Sequence, residues 1–150
     1  MTLDFDTIAE FTRLTARLSL SLFCVAFVID AMKGKATGFF YALFIVAHLV
    51  HLGFVAAYYM TAGHGPELSP VLGLLVLGLA ALAWLATAVF RARPAPLIAV
   101  WFLWFLFAAT HVSRLLDPER AGAINWVLLA VALSAAAARL YLGLVARRAM

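Results

Sequence analysis

Apolar runs of about 20 residues recur along the whole chain, and the breaks between them are short. At 1.5 Å rise per residue, about 20 apolar residues cross a hydrocarbon core of about 30 Å. The runs extend from Phe11 to Met32, Phe39 to Thr61, Pro70 to Phe90, Leu97 to Leu116 and Ala123 to Val145. The breaks hold Lys33 to Gly38, Gly63-His64-Gly65-Pro66, Pro94-Ala95-Pro96 and Asp117-Pro118-Glu119-Arg120. Proline disfavours a helical residue before it, so Asp117-Pro118 reads as a turn. The expected fold is an all-α integral membrane protein, a single five-helix transmembrane bundle, in contact with the lipid bilayer on its outer faces.

Composition agrees with that reading. The chain is 67% hydrophobic and 12% charged, whereas soluble domains are near half apolar and a quarter charged. A soluble enzyme, a disordered segment and a nucleic-acid-binding domain are excluded, and the net charge of +4 needs another use. Basic residues flank membrane spans and mark the cytoplasmic side. With the N-terminus outside and the C-terminus cytoplasmic, that side receives Lys33, Lys35, Arg91, Arg93, Arg147 and Arg148. The outer side receives Arg13, Arg17, Arg114 and Arg120, diluted by acids. The expected location is a bacterial inner membrane. Asp4, Asp6 and Glu10, with no basic residue among the first ten, argue against a cleaved signal peptide. The single cysteine, Cys24, excludes a disulfide framework and a CxxC motif; it reads as a small buried apolar residue.

Ionisable residues at membrane depth are costly unless paired or used. His48 and His51 stand three apart in Ala47-His48-Leu49-Val50-His51-Leu52, on one helical face. Neutral imidazole suits haem iron, zinc or copper, and it equally suits hydrogen bonding between helices. His111 lies in the fourth run, within about 3 Å of the depth of His51 at 1.5 Å per residue. Two helices can thereby offer one ligand each to a haem, whereas histidines three apart on one helix cannot grip both faces of a porphyrin.

Arg13 and Arg17 share the outer part of the first helix, and Arg114 follows His111 by one turn. They either snorkel to headgroups or bind an anion such as a haem propionate. Without Arg17 the first apolar stretch is only about 15 residues long, short for a span. Asp30 and Arg139 both lie towards the inner face, where an ion pair between helices is expected. Gly73, Gly78, Ala80, Ala132 and Ala136 permit close helix contact. Trp101, Trp104, Trp126, Tyr41, Tyr58, Tyr59 and Tyr141 read mainly as interfacial belts, with Trp104 deeper and in the core. His64, beside Glu67, reads as a solvated loop residue. No phosphate loop, nucleophile elbow or HExxH zinc motif occurs.

These residues resemble the ferric-reductase-like transmembrane family, in particular its short stand-alone bacterial members. The matching stretches are Arg13-Leu14-Thr15-Ala16-Arg17-Leu18-Ser19, Ala47-His48-Leu49-Val50-His51-Leu52, and Leu103-Trp104-Phe105-Leu106-Phe107 leading to Ser113-Arg114-Leu115-Leu116. The resemblance implies a membrane electron-transfer protein with haem b, the His48/His51 pair contributing ligation. The larger family holds two haems between paired histidines. Here Arg93-Pro94-Ala95-Pro96-Leu97 carries no histidine, and His111 stands where short relatives have another residue. One haem, a rearranged site and no haem stay open at this point. The expected cofactor set is His51 or His48 with His111 as iron ligands, and Arg13, Arg17 and Arg114 on the propionates. With no room for a flavin or nicotinamide domain, a redox partner protein or a quinone has to exchange the electrons. Two other readings are a membrane subunit or assembly factor without cofactor, and a small metal-handling transporter.

Overall fold

The computed structural model describes residues 4–33, 36–62, 70–118 and 121–148, the side chains of 70–73 and 146–148 excepted. Its elements are α1 (Phe5–Ala31), α2 (Thr37–Ala62), α3 (Pro70–Phe90), α4 (Leu97–Leu116) and α5 (Ala123–Arg148). No strand occurs among the described residues. α1, α2, α4 and α5 are each long and apolar enough to cross a membrane. The described apolar stretch of α3, Leu74–Phe90, is shorter. The chain is a multi-pass helical membrane protein. His64, Glu67, Lys35, Glu119 and Arg120 lie outside the described residues, as do the side chains of Gly73, Arg147 and Arg148.

Local chemistry sets the helix ends. α1 begins six residues before the apolar run because the Asp4 carboxylate caps it, accepting from the Thr7 N–H at 2.7 Å. That hydrogen bond holds the Asp4 carboxyl below its ordinary range, so the cap weakens as pH falls through the lowered value. With 27 residues, α1 is about 40 Å long, and the shortness expected of the first span disappears. α4 starts after Pro96, and it ends at Asp117, which is extended before Pro118.

Each helix packs beside its neighbours in the chain, and α5 returns to α1, so the five close into a ring. One end of the bundle is solid. Phe23, Phe27, Tyr41 and Phe44 have no exposed surface, and Phe107 reaches from α4 to Phe23 at 5.2 Å and Phe44 at 6.0 Å between ring centroids. Trp101 meets the Phe27 edge at 4.9 Å. Trp104 donates from its indole N–H to the Ala132 carbonyl at 2.8 Å, tying α4 to α5. Two of the small residues act as expected. A Cβ on Gly78 would stand 3.0 Å from Leu106 Cδ1, and Ala132 is fully buried. Ala80 instead faces outward.

Asp30 and Arg139 form the expected pair, at 2.6 Å. The Arg139 guanidinium also donates to the Phe27 carbonyl and lies 4.4 Å from the Phe27 ring centroid. Tyr41 corrects an expectation. It is no interfacial residue but is wholly buried, within electrostatic reach of Asp30 and Arg139. Its position on α2 turns the ring into the bundle, and its hydroxyl makes no hydrogen bond among the described residues. Trp126 and Tyr141 do face outward.

Breaking one partner of a buried pair leaves an uncompensated charge. Asp30→Asn should therefore lower stability by about 3 kcal/mol, read as thermal unfolding in detergent, and Asp30→Asn with Arg139→Met should recover part of it. A single variant as stable as the parent would show that the pair does not tie α1 to α5.

Candidate functional site

The other end of the bundle is hollow. A cavity of about 220 Å³ lies among α1, α2, α3 and α4, bordered by His48, His51 and His111. Most of its wall is apolar, with Leu20, Leu52, Leu79, Leu103 and Phe107 among the residues that line it. The depth match between His51 and His111 expected from residue counting thus brings both onto one cavity. His48 packs on Phe44 and Phe107, at 5.5 and 5.6 Å, and its ring lies 5.7 Å from that of His51. Among the described residues no three of His, Cys, Asp and Glu gather closely enough to hold a bare metal ion. The histidines border a shared space; they do not form a compact three-ligand centre.

Each imidazole is held at Nδ1 by a neighbouring helix, and the partners differ in a way that fixes the proton. Thr15 sends its hydroxyl proton to the Phe11 carbonyl at 2.7 Å, with Thr12 O at 3.2 Å. Its oxygen therefore accepts from His51 Nδ1 at 3.3 Å. Asn125 Oδ1 lies 3.3 Å from His111 Nδ1 and can only accept. Both rings thereby carry their proton on Nδ1 and keep a lone pair on Nε2. Ser19 is fully buried and makes no other hydrogen bond among the described residues, so donation to His48 Nδ1 at 2.9 Å is what satisfies its hydroxyl proton. His48 then carries its proton on Nε2 and is a donor. The three histidines are not equivalent: His51 and His111 present an Nε2 lone pair, while His48 presents an N–H.

A second cavity, of about 320 Å³, shares Ala16, His51 and Arg114 with the first. Arg13, Thr12, Tyr58 and Tyr59 also border it. Arg114 lies near both His51 and His111, close enough to act on them electrostatically. The two spaces together have an apolar interior and a cationic end. Arg17 does not join them. It is exposed and borders a separate groove of about 410 Å³ with Glu10, Phe11, Arg13 and Leu14. At 3.6 residues per turn Arg13 lies about 60° from the inward-facing Ala16, and Arg17 about 100° from it on the same side. Spacing by four kept the arginines near each other but could not say which one faces inward.

Tyr58 and Tyr59, expected as an interfacial belt, are half-buried and border the second cavity. Thr15, Ser19 and Asn125 were not singled out by sequence at all. The available signal was a pair of hydroxyls four apart on α1, opposite a pair of histidines three apart on α2. Cys24 is free and buried, as expected.

Comparison with protein-family models, with curated proteins and with solved structures finds no match for this chain.

Removing a hydroxyl that satisfies a buried ring nitrogen costs about 1–3 kcal/mol. Ser19→Ala should therefore melt at lower temperature in detergent than the parent, by that amount. Equal melting would mean that His48 Nδ1 has another partner.

Proposed function

We propose that this chain is a membrane electron-transfer protein of the ferric-reductase-like kind that holds haem b between α2 and α4. The observation that carries the reading is the pair of Nε2 lone pairs, on His51 and His111, at one apolar cavity between two helices. Bonds to Thr15 and Asn125 fix both tautomers, as outer partners of ligating histidines do. The donor set therefore fits the group. His51 and His111 would hold the iron, and Arg13 and Arg114, at the cationic end, would balance the propionates. Haem supplies a one-electron iron couple, with a potential set by axial ligands, burial and nearby charge. The apolar wall of Leu20, Leu52, Leu79 and Leu103 excludes water from that couple. His48, presenting an N–H, is left out of the ligand set.

In this reading all five helices cross a bacterial inner membrane, with the N-terminus outside and the C-terminus cytoplasmic. The placement of Lys33, Arg91 and Arg93 at one end of the bundle supports that orientation. The cationic end then opens outward, and a redox partner protein or a quinone exchanges electrons there.

A second reading has its own support. Every one of the three imidazoles already bonds to a neighbouring helix, which is what a cofactor-free membrane subunit would use them for.

One experiment separates the two. Protein purified in detergent from haem-replete cells should show a Soret band that dithionite shifts. His51→Ala and His111→Ala should each remove the reduced spectrum of a six-coordinate b-type haem, and His48→Ala should retain it. Purified parent protein with no Soret absorbance, and melting temperatures lowered alike in all three variants, would leave the structural reading in its place.

A further inference from the structure

At the opposite end of the bundle from the arginine-lined cavity, α3 carries a groove of different character. Trp84, Thr87, Ala88 and Arg91 border it, together with Arg93, Pro94 and Pro96 of the connection to α4, around a volume of about 280 Å³. Positions 84, 87, 88 and 91 follow the i, i+3, i+4, i+7 rule and form one stripe along α3. The stripe runs through Trp84, Thr87, whose hydroxyl is turned onto the Ala83 carbonyl, and Ala88, and it ends in guanidinium. Trp84 is 53% exposed, about 10 Å deeper than Arg91 at 1.5 Å per residue.

The backbone brings the two arginines to one rim. Ala92 has φ 50°, in the left-handed region that a residue with a Cβ enters at a cost. That reversal lets Arg93 N–H donate back to the Ala88 carbonyl at 2.8 Å and Ala92 N–H to Val89 at 3.0 Å. Arg93 thereby returns towards Arg91 instead of continuing away from it.

Neither guanidinium has a hydrogen-bond or ion-pair partner among the described residues. The sequence explains why none is near. No Asp or Glu occurs between Glu67 and Asp117. Among the described acids, only Asp30 belongs to this end of the bundle, and it is committed to Arg139. The counter-charge has to come from outside the chain.

We infer that the α3–α4 groove binds an anionic phospholipid, its phosphate between Arg91 and Arg93 and an acyl chain along Thr87 and Trp84. A bilayer supplies both parts at the right depths: phosphate at the interface where α3 ends, and hydrocarbon beside the stripe. Guanidinium is suited to bidentate contact with phosphate oxygens. The inference is independent of the histidine site and of any haem.

Native mass spectrometry of the full chain in detergent, with equal amounts of phosphatidylglycerol and phosphatidylcholine, tests it. The parent should retain one phosphatidylglycerol in preference to phosphatidylcholine. Two basic residues near an anionic headgroup contribute about 1 kcal/mol each, so Arg91→Gln with Arg93→Gln should weaken that retention about thirtyfold. Thr87→Phe fills the groove without changing charge, and it too should release the lipid if the site is shaped. Lys33→Gln, which removes a charge from the same end, should keep the lipid bound.

Four results would overturn the proposal. One is equal retention of both lipids by the parent, and another is a Thr87→Phe variant that retains phosphatidylglycerol as the parent does. The third is a Lys33→Gln loss as large as that of the double variant, which would indicate a diffuse field. Displacement of the lipid by inorganic phosphate at equal concentration would assign the arginines to a free anion and also overturn it.

Discussion

Two hydroxyls one turn apart on α1, Thr15 and Ser19, hold two imidazoles of α2, and the character of the hollow end of the bundle depends on them. In hydrocarbon no water satisfies a ring nitrogen, so each histidine has to find a partner on another helix. The two hydroxyls meet that demand differently. Thr15 spends its proton on its own helix and receives one from His51, whereas Ser19 gives its proton to His48. One helix thereby turns two identical side chains into an acceptor and a donor.

The same demand for internal partners sets the other end of the bundle. Arg139 meets a carboxylate, a carbonyl and an aromatic face, all supplied by α1. α1 is therefore the helix against which polar groups of α2 and α5 are balanced, and its contacts with both close the ring on that side. α3 has no such tie among the described residues. It meets its neighbours through apolar contacts, as where Gly78 comes up against Leu106.

Much of this was legible before any coordinates. Hydropathy and the proline breaks located the helices, with α3 and α4 bounded as expected and α1 lengthened by a cap outside its apolar run. Charge at depth picked out Asp30 and Arg139, and counting residues brought His51 and His111 to one level. Helix rotation was not legible. A helix apolar on every side, such as α2, gives no stripe to say which face meets lipid, so Tyr41 was assigned to the surface and is buried. Arg17 and Ala80 failed for the same reason, each sitting at a plausible level on the wrong face. Hydrogen-bond partners were harder still, because Thr15, Ser19 and Asn125 look ordinary until the helix opposite is known.

The division of the bundle into a solid end and a hollow end carries a consequence for how the sequence can drift. Around Phe23, Phe27 and Phe44 every side chain is enclosed by others, and the loss of a single methylene leaves a void that neighbours cannot close. Beside the histidine cavity, Leu74, Leu75 and Leu79 have free space in front of them, so larger apolar side chains can be accommodated without displacing a helix. Variation among descendants of this chain should therefore be asymmetric along the membrane normal. The aromatic end would change slowly and in compensating pairs, and the cavity wall would change one residue at a time.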